Sequence, residues 1–357
     1  MHQLAEDDVV ERHEDAQGAA RPPLVVLEPL TEFLDEAGLG SGALEIEPIG
    51  EGHSNVTFVV RREGAEFILR RPPRPPLPPS AHDVLREARV IGALAGRARV
   101  PEVLAVCDDD SVIGAPFFVM NLVPGEVITG EMPAALSSPE ECRRTGEELI
   151  DGLVELHAVD WEEAGLGDFG KPTGYLERQL RRFTGLWEHN RTREIPAVEQ
   201  VGTWLAENMP ESGPATIVHG DYRLGNTIFS AGAPARLEAI LDWEMATIGD
   251  PLADLGYFAT LYVEADDPEG GLFELSPVTR TAGFPPRAEL IARYEEKSGR
   301  SMTDINWYQT LALWKATVFM EGNYKRAVSG STDDPVLKAF GDGVVQLADK
   351  ALELTGG

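Results

Sequence analysis

Residues 217–257 read IVHGDYRLGNTIFSAGAPARLEAILDWEMATIGDPLADLGY. The apolar run Thr216 to Val218 stops at His219-Gly220-Asp221, and Asn226 follows five residues after that aspartate. A second apolar run, Leu237 to Leu241, stops at Asp242-Trp243-Glu244. Short apolar runs ended by glycine or aspartate are expected to be strands. Joined as a hairpin, the two strands bring Asp221, Asn226 and Asp242 to one edge. Two carboxylates and one amide oxygen are hard donors, suited to Mg²⁺ carrying a nucleotide phosphate.

An aspartate, an asparagine five residues on and a later aspartate is also the arrangement that protein kinases use. Together with Ile248-Gly249-Asp250-Pro251, these motifs resemble the aminoglycoside phosphotransferase family, kinase-like enzymes of small molecules. The nearest branch is the kinase-like domain fused to some acyl-CoA dehydrogenases. The resemblance runs over nearly the whole chain after residue 24. It implies an α+β, protein-kinase-like two-lobed fold, with a small antiparallel-sheet N-lobe and a larger, mainly helical C-lobe. Residues 1–20 are expected to be a disordered acidic tail, 21–122 the N-lobe and 123–357 the C-lobe. Asp221 would orient an acceptor hydroxyl and take its proton; Asn226 and Asp242 would hold the metal. ATP, with GTP as the other candidate, and Mg²⁺ are the cofactors implied, and the acceptor is a hydroxyl on a small molecule.

Upstream, Ile46 to Arg71 reads as three strands. The first turn, Gly50-Glu51-Gly52-His53-Ser54-Asn55, carries glycines that let backbone N–H groups approach phosphates. Gly50, Gly52, Ser54 and Asn55 are therefore candidate nucleotide contacts. The resemblance sets Arg70 where kinases carry a phosphate-gripping lysine. An arginine keeps the charge and offers a two-pronged grip, but it is not equivalent to lysine. Glu87, on a helix capped by Ser80, is the implied partner of Arg70. The six prolines of RPPRPPLPP (71–79) predict a stiff, extended connection. Met120, Asn121, Leu122 and Val123 fall at the implied hinge, where backbone groups would meet the base.

The chain has 357 residues and a formal charge of −29, which argues against nucleic acid or an anionic membrane as partner. No apolar run approaches the length of a membrane span. The N-terminus lacks the apolar core of a secretory signal. Cys107 and Cys142 cannot build a disulfide framework, which suits a reducing cytoplasm.

After Pro139 the pattern turns helical. His157 is expected to be a packed core histidine. The helix carrying Arg178, Arg181, Arg182 and Trp187 is expected to line an acceptor site, and Glu321, Asn323 and Tyr324 are further candidates for a cleft. Asp250 and Asp254 are expected to support the catalytic loop. A protein kinase is disfavoured, because His219-Gly220-Asp221 has no basic residue and Trp-Glu follows Asp242.

Overall fold

The computed structural model describes residues 5, 7–17, 21–50, 55–77, 82–268, 274–330 and 335–356. They form two compact units, residues 1–96 with 100–124 and residues 97–99 with 125–357.

In the first unit, β1 (Val9–Val10) runs parallel to β2 (Val25–Val26), and α1 (Leu27–Glu36) follows. Next come β3 (Ser41–Ile49), β4 (Val56–Glu63), β5 (Ala65–Arg71), α2 (Val84–Leu94), β6 (Val103–Cys107), the single turn α3 (Asp110–Ile113) and β7 (Phe117–Asn121). The five longer strands make one antiparallel sheet in the order β3-β4-β5-β7-β6. Side chains alternate across a strand. Phe58, Val60, Phe67, Leu69, Phe117 and Val119 thus share one face and close a core with Leu30 and Leu34 of α1. Val59, Ile68 and Phe118 are buried on the other face.

The expected disordered tail is not what the described part of residues 1–20 forms. Asp8 is buried, its main-chain oxygen accepts from Leu24 (2.7 Å), and its carboxylate accepts from Arg74 (2.5 Å). Arg71 is buried too, donating to the Leu24 carbonyl. The two arginines of the proline-rich stretch therefore bind the chain's own N-terminal segment. A charge count sees acidic residues there and misses that Arg74 pairs with one of them, Asp8. Ser80 lies outside the described residues; α2 begins later, where the Asp83 side chain accepts from the Arg86 N–H at 3.0 Å.

The second unit contains β8 (Glu126–Val127), α4 (Pro139–His157), α5 (Tyr175–Asn190), α6 (Pro196–Glu207), β9 (Thr216–Val218), β10 (Thr227–Phe229), β11 (Leu237–Ile240), β12 (Thr247–Gly249), α7 (Leu252–Leu261), α8 (Arg287–Ser298), α9 (Ile305–Val328) and α10 (Pro335–Glu353). Its main core gathers α5, α6, α9 and α10 around Trp187, Val198, Leu205, Trp307, Leu311 and Trp314. Trp187 is thus core, and Arg178 is spent on the carbonyls of Lys171 and Thr173. Glu321 is no cleft residue: it is fully buried and accepts from the Thr192 N–H (2.8 Å) and hydroxyl (2.7 Å). No helix among the described residues is long and apolar enough to cross a membrane.

Candidate active site

Two small ladders set up the loop after β9. The two apolar runs do not join as the expected hairpin: β9 pairs antiparallel with β12, Val218 opposite Thr247, while the run from Leu237 pairs with the strand after Asn226. β10 pairs with β11, Thr227 opposite Ile240, and with β8 on its other side. The chain leaves β9 through Gly220, whose φ is +87°. A Cβ there would also lie 2.8 Å from the Met245 carbonyl oxygen, so both conformation and space call for glycine.

His219 is buried and serves as a brace. Its Nδ1 accepts from the Asp221 N–H (3.2 Å), which leaves Nε2 to donate to the Leu241 carbonyl (2.9 Å). The Leu241 N–H in turn donates to the Asn226 carbonyl (2.8 Å). Leu241 is thereby held on both sides of its peptide, and Asp242 comes next. Asp242 has left-handed backbone, φ +65° and ψ +66°, sparsely populated for a residue other than glycine. Strain of that kind persists only where the surroundings impose it. The next residue, Trp243, is buried, donates its indole N–H to Ile240 O (2.9 Å) and meets His219 edge-on at 4.7 Å. Trp243 is therefore a packing residue.

The Asp221 side chain keeps 25% of its surface exposed, and both of its oxygens are gripped. Asn226 Nδ2 donates to Oδ2 (2.6 Å) and to the Asp221 main-chain oxygen (3.0 Å). Tyr257, on α7, donates its hydroxyl to Oδ1 (2.5 Å). Arg223 Nε stands 3.7 Å from Oδ1. Beneath the loop, Asp254 is buried and accepts from the N–H groups of His219 (2.6 Å) and Gly220 (2.8 Å). His157 Nε2 reaches the same carboxylate at 3.2 Å, and its Nδ1 contacts the Tyr294 hydroxyl at 2.7 Å. Burial alone would raise the Asp254 pKa. The hydrogen bond from His157, the field of both histidines and the Gly220 N–H outweigh it, and the carboxyl ends below its ordinary value. Asp250, just ahead of α7, accepts from the Leu252 N–H (3.0 Å) and from the Tyr308 hydroxyl (2.8 Å).

The donor set can be tested for a metal. Both contacts of Asn226 Nδ2 are acceptors, so the amide nitrogen must face them and Oδ1 remains as the ligand atom. With the half-buried Asp242 carboxylate, this makes two hard oxygens. Among the described residues no group of three or more His, Cys, Asp and Glu could hold a metal by itself. Two protein oxygens fit Mg²⁺, which usually keeps waters and arrives with substrate phosphates.

The first unit groups a different set. Arg70 Nε (2.9 Å) and Asn55 Nδ2 (3.1 Å) both donate to Glu87 Oε2, and Arg70 Nη1 contacts Thr57 Oγ1 at 3.2 Å. The Glu87 side chain is 1% exposed and that of Arg70 13%. Asn55 is buried beside the ion pair, with its Oδ1 lacking a hydrogen-bond partner among the described residues. Gly50 ends β3 in a left-handed conformation, φ +87°, while Gly52 and Ser54 lie outside the described residues. Met120 is buried at the end of β7, and the Asn121 side chain accepts from the Glu102 N–H (2.6 Å), with Leu122 and Val123 half-buried after it. Truncating Glu87 to alanine would remove the shared acceptor of the buried Asn55 amide and the largely buried, charged Arg70. The expected loss is about 3–5 kcal/mol of stability, measurable by denaturant titration. A midpoint equal to that of the unaltered protein would exclude this role for the pair.

Sequence reasoning passed over Tyr257, Arg223 and Lys315. Tyr257 had a signal, since it follows Asp254 by three residues on one helix and shares its face. Lys315 had none. Its Nζ lies 4.9 Å from the centre of the Phe183 ring, and Arg182 flanks the same ring at 6.0 Å. Burial pushes the Lys315 ammonium down to about 8, opposed by Asp254 and assisted by Arg182.

An antiparallel five-stranded sheet, a mainly helical second unit and a loop of this build define a kinase-like phosphotransferase fold. Residues 45–291 match the model of the APH phosphotransferase enzyme family. The chain belongs to that family. It is 33% identical over 315 residues to mouse acyl-CoA dehydrogenase family member 10, covering 87% of this chain and 29% of that protein. It is 34% identical over 324 residues to chicken acyl-CoA dehydrogenase family member 11, covering 88% and 41% respectively. The chain therefore spans well under half the length of these relatives. A crystal structure of a putative aminoglycoside phosphotransferase from Ralstonia eutropha superposes with a TM-score of 0.79 at 31% identity, over 92% of this chain and 98% of that one. An aminoglycoside phosphotransferase solved with AMP-PNP and hygromycin B shares the fold at 16% identity, with a TM-score of 0.61 over 92% and 99%.

Proposed function

We propose that the protein moves the γ-phosphate of ATP, with GTP as the other candidate donor, to a hydroxyl of a small molecule. The observation that carries this reading is the Asp221 carboxylate: partly exposed, gripped at both oxygens, and on one loop with Asn226. Asp221 would orient the acceptor hydroxyl and take its proton. Asn226 and Asp242 would hold Mg²⁺, which when bound neutralises phosphate charge. Arg70, held by Glu87, would bind phosphate oxygens, Asn55 and Gly50 would lie at the phosphate end, and the backbone from Met120 to Val123 would meet the base. In such transfers, positioning and charge neutralisation supply most of the rate.

For the acceptor, a hydroxyacyl thioester on a phosphate-bearing carrier is favoured over a polycationic aminoglycoside. The two cations beside Phe183, Lys315 and Arg182, suit an anion. The likeness to acyl-CoA dehydrogenase family members points the same way. The test is ADP or GDP release from the magnesium nucleotide, screened over simple alcohols, hydroxyacyl thioesters and aminoglycosides, with the phosphorylated product identified by mass. Release matched by product supports the reading. Nucleotide binding with no release in any pairing would reduce the protein to a nucleotide-binding module.

A further inference from the structure

α7 holds the catalytic loop at two points one turn apart. Asp254, in its first turn, binds the main chain at His219 and Gly220. Tyr257, three residues on, reaches the side chain of the next residue, Asp221. A carboxylate turns easily about its last bond, because that torsion has broad, shallow minima. One anchor leaves the second oxygen free to swing. Asn226 supplies an anchor at Oδ2, and Tyr257 supplies the one at Oδ1.

The phenol can fill that role at any working pH. Burial, then the charge and hydrogen bond of Asp221, push the Tyr257 pKa well above its ordinary value, so the hydroxyl stays protonated and donates. An ionised carboxylate oxygen accepts at two sites. Arg223 Nε, 3.7 Å from Oδ1, is beyond hydrogen-bond distance, so one site is kept for a second donor. The direction of that remaining site is set by where the phenol sits.

We propose that Tyr257 is a positioning residue for phosphoryl transfer: its hydroxyl fixes the plane of the Asp221 carboxylate and aims the second acceptor site of Oδ1 at the incoming hydroxyl. This rests on the phosphotransferase reading above. It gives the helix after the metal loop a part in the reaction beyond supporting the loop backbone.

The test compares Tyr257→Phe and Asp221→Asn with the unaltered chain. The measurements are kcat and KM for ADP release with the acceptor found in the screen, Kd for Mg·ATP, the melting temperature, and a crystal structure of Tyr257→Phe. The expected result is a fall in kcat of about tenfold to a hundredfold, the scale of a misplaced reacting group. Kd for Mg·ATP and the melting temperature should hold, and the crystal should show the Asp221 carboxylate rotated or in two orientations. An unmoved carboxylate overturns the proposal whether or not an acceptor is in hand, as does an unchanged kcat. A loss shared equally by melting temperature and nucleotide affinity also overturns it, because that marks a merely structural hydroxyl. If Asp221→Asn turns over normally, Asp221 is not the base and the role of Tyr257 falls with it; the phosphotransferase reading fails only if the unaltered chain transfers phosphate to no acceptor. If Asp221→Asn is inactive while Tyr257→Phe is fully active, only the role of Tyr257 falls.

Discussion

Asp221→Asn is expected to cut phosphoryl transfer by about 10²- to 10⁴-fold, the usual worth of a positioned general base. The substitution is close to isosteric, and the surroundings can absorb it. The new side-chain oxygen can keep the hydrogen bond from Asn226 Nδ2. The new amide then faces the Tyr257 hydroxyl, which can turn and accept where it formerly donated. What disappears is the charge and the site that takes a proton. Affinity for the magnesium nucleotide should persist, because neither proposed metal donor is touched. Binding by calorimetry and turnover by phosphorus NMR separate the two effects. Transfer at the unaltered rate would exclude Asp221 as the base.

Asp254→Ala is expected to cost about 3–5 kcal/mol, the sum of several buried donors losing their acceptor at roughly 1–3 kcal/mol each. Two main-chain N–H groups, at His219 and Gly220, would be left without an acceptor, and His157 would lose its contact. Each buried donor left unmet carries its own desolvation penalty. Since those N–H groups belong to the loop that presents Asp221, any protein that still folds should also turn over slowly. The same carboxylate gives a pH dependence of definite sign. Its folded pKa lies below its ordinary value of 3.8. The stabilisation is therefore present above that ordinary value and is lost as pH falls through the lower, folded pKa. Denaturation midpoints measured downward from pH 5 should drop steeply below about pH 4. The Asp254→Ala protein should lack that part of the drop. An acid limb identical in both proteins would show that Asp254 is not its source.

Much of this could be read without coordinates because it depends on short separations. Asp221 and Asn226 lie five residues apart in one turn, and Asn226 and Asp242 flank the ends of the β10–β11 hairpin, so those separations were local. That β9 pairs with β12 and not with the strand before Asp242 was not legible. The alternating apolar residues of β4 and β5 and the helical stripes after Pro139 are likewise local, since their periods are set by backbone geometry. The proline-rich stretch was legible as extended, but the fate of its arginines was not. Their partners, Asp8 and the carbonyl of Leu24, are tens of residues away, and no pattern in either segment marks the pairing.

By itself the sequence determined which donors this protein can offer: an ordered set of carboxylate and amide oxygens at the ends of short strands. Tertiary structure alone decided how those groups are held. Arg99 reaches Glu148, Glu155 and the Leu237 carbonyl to steady β11, and His157 closes on Asp254 across 97 positions. Lys315 is half-buried, and its ammonium pKa lowered, only because α5 and α9 meet beside it. The reason is physical. Spacing fixes what neighbours along the chain can do, whereas burial, and with it the strength of a charge or a hydrogen bond, depends on what the rest of the chain packs against it.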